Sequence, residues 1–167
     1  MRTNKINNDI VVSFRNCLNS KHRLIFDLGY ALGLRISDII KLKISILETE
    51  KPTIKEQKTG KSKRIYIPKK LRQQMKELHS ATSCNDFIFY SATSKSGNIS
   101  RQAVFKAFKN ASKKLGIADN IATQSMRKSY ACKLFEKGKG YKYIQTKLNH
   151  THECDTLLYL LDEFKKE

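Results

Sequence analysis

Thr123–Tyr159, TQSMRKSYACKLFEKGKGYKYIQTKLNHTHECDTLLY, is the stretch whose reading decides the fold of this 167-residue chain. It divides into three predicted helices: about Gln124 to Lys137 ended by Gly138, then Tyr141 to Leu148, then Asp155 to Phe164. These carry an arginine with a lysine beside it (Arg127, Lys128), a Leu-Asn-His run (Leu148 to His150) and a tyrosine nine residues after that histidine (159 − 150). A guanidinium, an imidazole and a phenol brought together suit attack on a phosphate. Whether they meet depends on what lies upstream.

Upstream, residues 1–8 are polar and expected to fray. Ile10, Val11, Phe14 and Leu18 then recur at helical spacing from about Asp9, and a second helix from about Lys21 has Leu24, Ile25, Leu28 and Leu32 as its stripe. Gly33 closes it. Ser37 is expected to cap a third helix running to about Lys43, with Asp38 in its first turn. Arg35 then lies in a tight turn. It is either a surface arginine with local salt bridges or, given apolar Leu34 and Ile36 beside it, one held in place.

Composition next shifts toward strands. Ile44 to Leu47, Thr53 to Glu56 and Arg64 to Ile67 are short strand-like runs, the last two joined by a hairpin turn, Gln57 to Lys63, with Gly60 at its tip. The lysines of that turn (Lys58, Lys61, Lys63) are there because a hairpin tip is exposed, or because Lys58 reaches into a DNA groove with Lys61 and Lys63 as further DNA-binding residues. Pro68 opens a helix to about Leu78 with Leu71, Met75 and Leu78 inward. Asp86 to Tyr90 is a short apolar segment, and Ser91 to Asn98 a polar loop. Ser100 caps a helix to Leu115 that turns Val104, Phe105, Phe108, Ala111 and Leu115 to one face. The opposite face carries Arg101, Lys106, Lys109, Lys113 and Lys114, either solvated or lying on a DNA backbone. The expected architecture is mainly helical with one small antiparallel sheet (α+β) in a single domain, since 167 residues fall within the usual ~100–200 of one core.

Thirty-three Lys+Arg against fifteen Asp+Glu leave a net charge of +18 and a pI near 9.9, which makes a polyanion the leading partner. The basic residues spread along the whole chain instead of along one amphipathic helix, which favours nucleic acid over membrane. No apolar run approaches the ~20 residues that span a bilayer and no apolar leader opens the chain, so an intracellular protein is expected. Cys17, Cys84, Cys132 and Cys154 show no CxxC pairing and are expected to be reduced and at least partly buried. His150, His152 and Cys154 form an H-x-H-x-C run. On a helix the middle residue leaves the shared face and no second ligand pair exists, so no metal site is expected.

Taken in order, Leu32-Gly-Leu-Arg-Ile-Ser-Asp38, Lys58-Thr-Gly-Lys, Arg64-x-Tyr-Ile-Pro68, Gln124-x-x-Arg-Lys-Ser-Tyr-Ala131, Leu148-Asn-His150 and Tyr159 resemble the catalytic domain of the tyrosine recombinases, the phage-integrase family. The resemblance covers roughly residues 8–162. It implies a site-specific recombinase that cleaves and rejoins double-stranded DNA through a 3′-phosphotyrosine, with no metal, ATP or other cofactor. It implies a homo-tetramer on DNA, monomeric when free, in the cytoplasm of a bacterial or phage-encoded system at the nucleoid. Tyr159 would be the nucleophile, Arg35 and Arg127 the grip on the non-bridging oxygens, Lys58 the acid for the 5′-oxygen and His150 a hydrogen-bond donor. Asp38 would support the first arginine. Three positions depart from the family pattern: Gln124 stands for the usual histidine, Lys128 for a second histidine, and Asn149 for glycine. An N-terminal core-binding domain is expected to be absent, and residues 160–167 to form a C-terminal tail packing in cis or in trans. The alternatives are a non-catalytic DNA-binding protein that retains the fold, and a basic RNA-binding protein with accidental matches.

Overall fold

The computed structural model describes residues 3–82, 85–117 and 120–164, with side chains through Leu161. The chain forms α1 (Asn8–Asn16), α2 (Ser20–Leu32), α3 (Ile36–Ile39), β1 (Thr53–Lys55), β2 (Ser62–Arg64), α4 (Lys69–Ser80), α5 (Arg101–Lys114), α6 (Thr123–Glu136), α7 (Tyr141–Leu148) and α8 (Glu153–Phe164). β1 and β2 make a two-stranded antiparallel sheet in the register Thr53↔Arg64, Ile54↔Lys63, Lys55↔Ser62. The mainly helical architecture with one small sheet is as expected. Among the described residues no helix is long and apolar enough to cross a membrane.

Local chemistry explains the helix ends. The Asn19 side chain accepts the His22 N–H at 2.9 Å to start α2, and Ser100 Oγ accepts the Ala103 N–H at 3.1 Å to start α5. At the other end of α2 the chain turns through Gly33 at φ +63°, whose N–H returns to the Gly29 carbonyl at 3.0 Å. α7 ends on Asn149 at φ +55°, the one non-glycine left-handed residue among those described. That conformation explains why glycine suits this position and why asparagine, which tolerates it best after glycine, replaces it.

Two apolar clusters carry the packing. The larger one joins α1, α2, α4 and α5 to the hairpin, centred on Phe14, Phe26 and Phe108, with Phe14 and Phe108 edge to face at 5.5 Å. The smaller one, Ala131, Cys132, Ile144, Leu148 and Leu160, seals α6 to α7 and α8. Where α2 crosses α6, Gly29 meets Met126 so closely that an added Cβ would lie 2.6 Å from its sulfur.

Several expectations are corrected. Ser37 is not a cap: α3 spans four residues, begins after Arg35 and has no side-chain cap. Ile44–Leu47 is a 3₁₀ turn, because Ile44 and Leu47 point inward three residues apart and the Ile44 N–H bonds to Asp86 at 2.8 Å. The second strand occupies Ser62–Arg64, upstream of the expected Arg64 to Ile67; beyond it Ile65 and Ile67 still alternate inward against outward Tyr66. Phe105 is 48% exposed, one residue off the Val104–Phe108–Ala111 stripe. Residues 3–7 are docked where fraying was expected: Ile6 is 2% exposed and its N–H bonds to Ser129 Oγ at 2.8 Å. α8 begins at Glu153 and continues into the expected tail as far as Phe164, with Leu160 fully buried in cis. Leu161 is exposed; Phe164's side chain and Cys84 lie outside what is described. Cys17 is half-buried and Cys132 buried, but Cys154 is exposed. Ser91–Asn98 is a loop closed by the Tyr90↔Asn98 bridge.

Gly33→Ala should strain the left-handed turn and drive a methyl to 2.4 Å from the Tyr130 ring. A loss of about 2–4 kcal/mol is expected in chemical denaturation.

Candidate active site

The turn between α2 and α3, the hairpin tip, the start of α6 and the face of α8 enclose a cavity of about 470 Å³. Arg35, Lys58, Gln124, Arg127, His150 and Tyr159 all line it, although 124 positions separate the first from the last (159 − 35). Arg101, at the start of α5, also lines it. Asp38 and Lys128 do not: both are buried, at 5% and 2% exposure. On the outer surface Lys61, Lys106, Lys109 and Lys113 are exposed. Lys63 belongs elsewhere, since its ammonium is buried on the inner face of the hairpin.

Of the arginines and lysine lining the cavity, Arg127 is the most enclosed. Its Nη1 donates to the Gly33 carbonyl at 2.6 Å and its Nη2 to the Leu148 carbonyl, while Nε has no partner. Burial, then the nearby Arg35, lower its pKa to about 10, which leaves it charged at neutral pH. Arg35 pairs with Glu56, whose carboxylate is fully buried and also accepts the Thr59 hydroxyl at 2.9 Å. The acid beside the first arginine is therefore Glu56 in place of the expected Asp38. Asp38 accepts the Gln57 N–H at 2.9 Å and so fixes the hairpin; burial raises its pKa.

His150 and Tyr159 form the opposite wall. Their rings meet edge to face at 5.2 Å, and His150 Nδ1 contacts the Thr156 hydroxyl at 2.9 Å. Burial first, then Arg127 and Arg35, depress the His150 pKa to about 4, so the imidazole is neutral at pH 7. The Tyr159 hydroxyl donates to Gln124 Oε1 at 3.2 Å. An amide oxygen can hold that proton but cannot take it.

Sequence reasoning missed Glu56 and Thr156. Glu56 had a signal: it alternates with Ile54 on the inner face of the hairpin, where an acid needs a cation. Thr156 had none, because its partner is fixed only once α8 packs.

The architecture matches solved recombinase structures. XerA recombinase superposes with a TM-score of 0.79, covering 99% of this chain and 66% of that one at 16% identity. A lambda integrase dimer bound to a COC' core site gives 0.76, covering 95% and 59% at 20% identity. The fold is thus that of a tyrosine recombinase catalytic domain. In sequence, tyrosine recombinase XerA of Pyrococcus furiosus is 31% identical over 143 residues, which are 83% of this chain and 49% of that protein. The probable integrase/recombinase YoeC of Bacillus subtilis is 27% identical over 147 residues, 87% of this chain and 80% of that one. The chain spans about half the length of tyrosine recombinase XerA. The phage integrase family model matches residues 2–166, and the chain belongs to that family.

His150 gives a pH test. Its folded pKa, about 4, lies below the ordinary 6.5, so its contribution to stability is complete above 6.5 and is lost as pH falls toward 4. His150→Gln should flatten the decline in melting temperature between pH 6.5 and about 5.5, above the range in which carboxylates titrate. His22, depressed by burial as well, leaves a residual slope.

Proposed function

We propose that this chain is the strand-cleaving and rejoining domain of a site-specific DNA recombinase. The observation that supports this most is the convergence of two arginines, a lysine, a histidine and a tyrosine hydroxyl on one open cavity of a basic protein. Double-stranded DNA is the partner that fits the +18 charge and the exposed lysines of the hairpin tip and α5. The bound lambda integrase dimer among the fold neighbours agrees with it. On DNA the acting form is a homo-tetramer.

In this reading Tyr159 Oη attacks the phosphorus, the P–O5′ bond breaks as the O–P bond forms, and a 3′-phosphotyrosine results. Lys58 gives its proton to the departing 5′-oxygen. Arg35 and Arg127 stabilise the charge that builds on the non-bridging oxygens. When His150 Nδ1 accepts the Thr156 hydroxyl proton, Nε2 carries the hydrogen and donates it toward the same oxygens. Gln124 orients the phenol from within the same chain, and the phenol proton leaves to solvent. Lack of a base at that position costs part of the ~10²–10⁴-fold that general base catalysis supplies.

A nicked suicide duplex carrying the recombination site tests the proposal. The wild type should form a covalent adduct on a denaturing gel, and Tyr159→Phe should form none while still shifting the duplex in a native gel. Gln124→His should speed adduct formation, by up to about 10²-fold. Absence of adduct from both the wild type and Gln124→His would mean a DNA-binding protein without cleavage activity.

A further inference from the structure

The inner face of the hairpin carries a charge arrangement that the reaction above does not use. In the ladder Ile54 pairs with Lys63 and the Glu56 N–H bonds to the Lys61 carbonyl at 3.0 Å. Side chains alternate along each strand, so Ile54, Glu56, Lys63 and Ile65 share one face. Ile54 and Ile65 are buried as that face requires. A lysine between them breaks the local pattern, and such breaks concentrate at functional positions.

The Lys63 ammonium is closed off from solvent and has no hydrogen-bond partner. The charges that face it are Arg127 from α6, Glu56 from its own hairpin, Arg35 from the turn before α3 and Lys147 from α7. Glu56 is the one anion of that group. Its Oε2 is taken by Arg35 and Thr59, yet its Oε1 is buried with no partner. An unpartnered ammonium and an unpartnered carboxylate oxygen thus share one cluster, on hairpin positions that lie diagonally across the ladder. Diagonal side chains, with Cα atoms about 7–8 Å apart, are within reach of a long side chain such as lysine.

Arg35 gives Nη1 to Glu56, and bidentate capture of a phosphate through Nη1 and Nη2 takes that donor from the carboxylate; a buried carboxylate stripped of its cation is strongly unfavourable. We propose that Lys63 is the exchange partner of Glu56: as a phosphate in the cavity draws Arg35 away, the Lys63 ammonium closes on the vacated carboxylate. The inference rests on reading the cavity as a phosphate site. Lys63 is then a positioning residue, which frees the arginine without touching the anion. Burial, then Arg127, lower its pKa to about 8, so the ammonium is available at neutral pH.

Calorimetric titration with inorganic phosphate at low ionic strength, paired with thermal melting, tests the exchange. Lys63→Met should leave the melting temperature of the free protein unchanged or raised, because it removes an unpaired buried charge, yet weaken phosphate binding roughly tenfold. Lys63→Arg should restore part of the affinity. In a Glu56→Gln background, where no carboxylate needs a cation, Lys63→Met should have no effect on binding. Equal weakening in both backgrounds would overturn the exchange, since Lys63 would then act on the anion directly. A lower melting temperature for Lys63→Met with unchanged phosphate affinity would also overturn it, leaving a structural lysine. Arg35→Lys separates the two levels: unchanged phosphate affinity in that variant overturns the phosphate reading itself, and the exchange with it.

Discussion

Arg127, only 2% exposed, reaches the Gly33 carbonyl at the end of α2 and the Leu148 carbonyl at the end of α7 with the same guanidinium. Helix C-termini present carbonyls without intrahelical donors and carry the negative end of the helix dipole, so a buried cation between two of them satisfies both. The grip sets the path of the chain beyond each helix. Two residues after Gly33 comes Arg35, and two residues after Leu148 comes His150. Both turns pass through a left-handed residue, Gly33 and Asn149, which lets the next side chains swing toward the same cavity. Arg127 is therefore part of the cavity wall and also the tie that builds the wall.

That tie makes the cavity electropositive at its floor. Arg127 and Arg35 lie close enough to lower the pKa of the first, and together they help keep His150 neutral. Glu56 holds Arg35 in place, with its buried carboxylate set by the Thr59 hydroxyl. A surface of one sign around such a floor gathers anions and raises their encounter rate, an effect that salt weakens. The phenol of Tyr159 is held by an amide instead of a base, so this cavity is better furnished to bind and polarise an anion than to remove a proton.

Much of this was legible in the sequence because its causes are local. Asn149 could be noticed as a departure, and Gly33 placed as a helix end, since backbone conformation at a turn depends on the residue itself. Helical spacing located α2, α5 and the three helices from Thr123 onward to within a few residues. What failed depended on pairing across the fold. Ser37 offers the right side chain for a cap, but the Arg35 turn starts the helix earlier. Asp38 stands three residues from Arg35 and looked like its partner, yet the hairpin register brings Glu56 to the guanidinium and leaves Asp38 with the Gln57 N–H. Lys63 read as a DNA-binding lysine of an exposed turn because only the ladder shows which face of the strand it occupies.

The Ser91–Asn98 loop divides the cavity's residues in a way the folded molecule conceals. Arg35, Lys58 and the Glu56 that holds Arg35 all precede it; Arg127, His150, Tyr159 and Gln124 all follow it. Neither side carries a complete set. The sides are stitched together by the packing of α2 against α6, by Phe108 of α5 set against Phe14 and Phe26, and by the Arg127 bond to Gly33. The loop is thus a seam in the sequence between two incomplete halves of the cavity, which only the folded domain brings together.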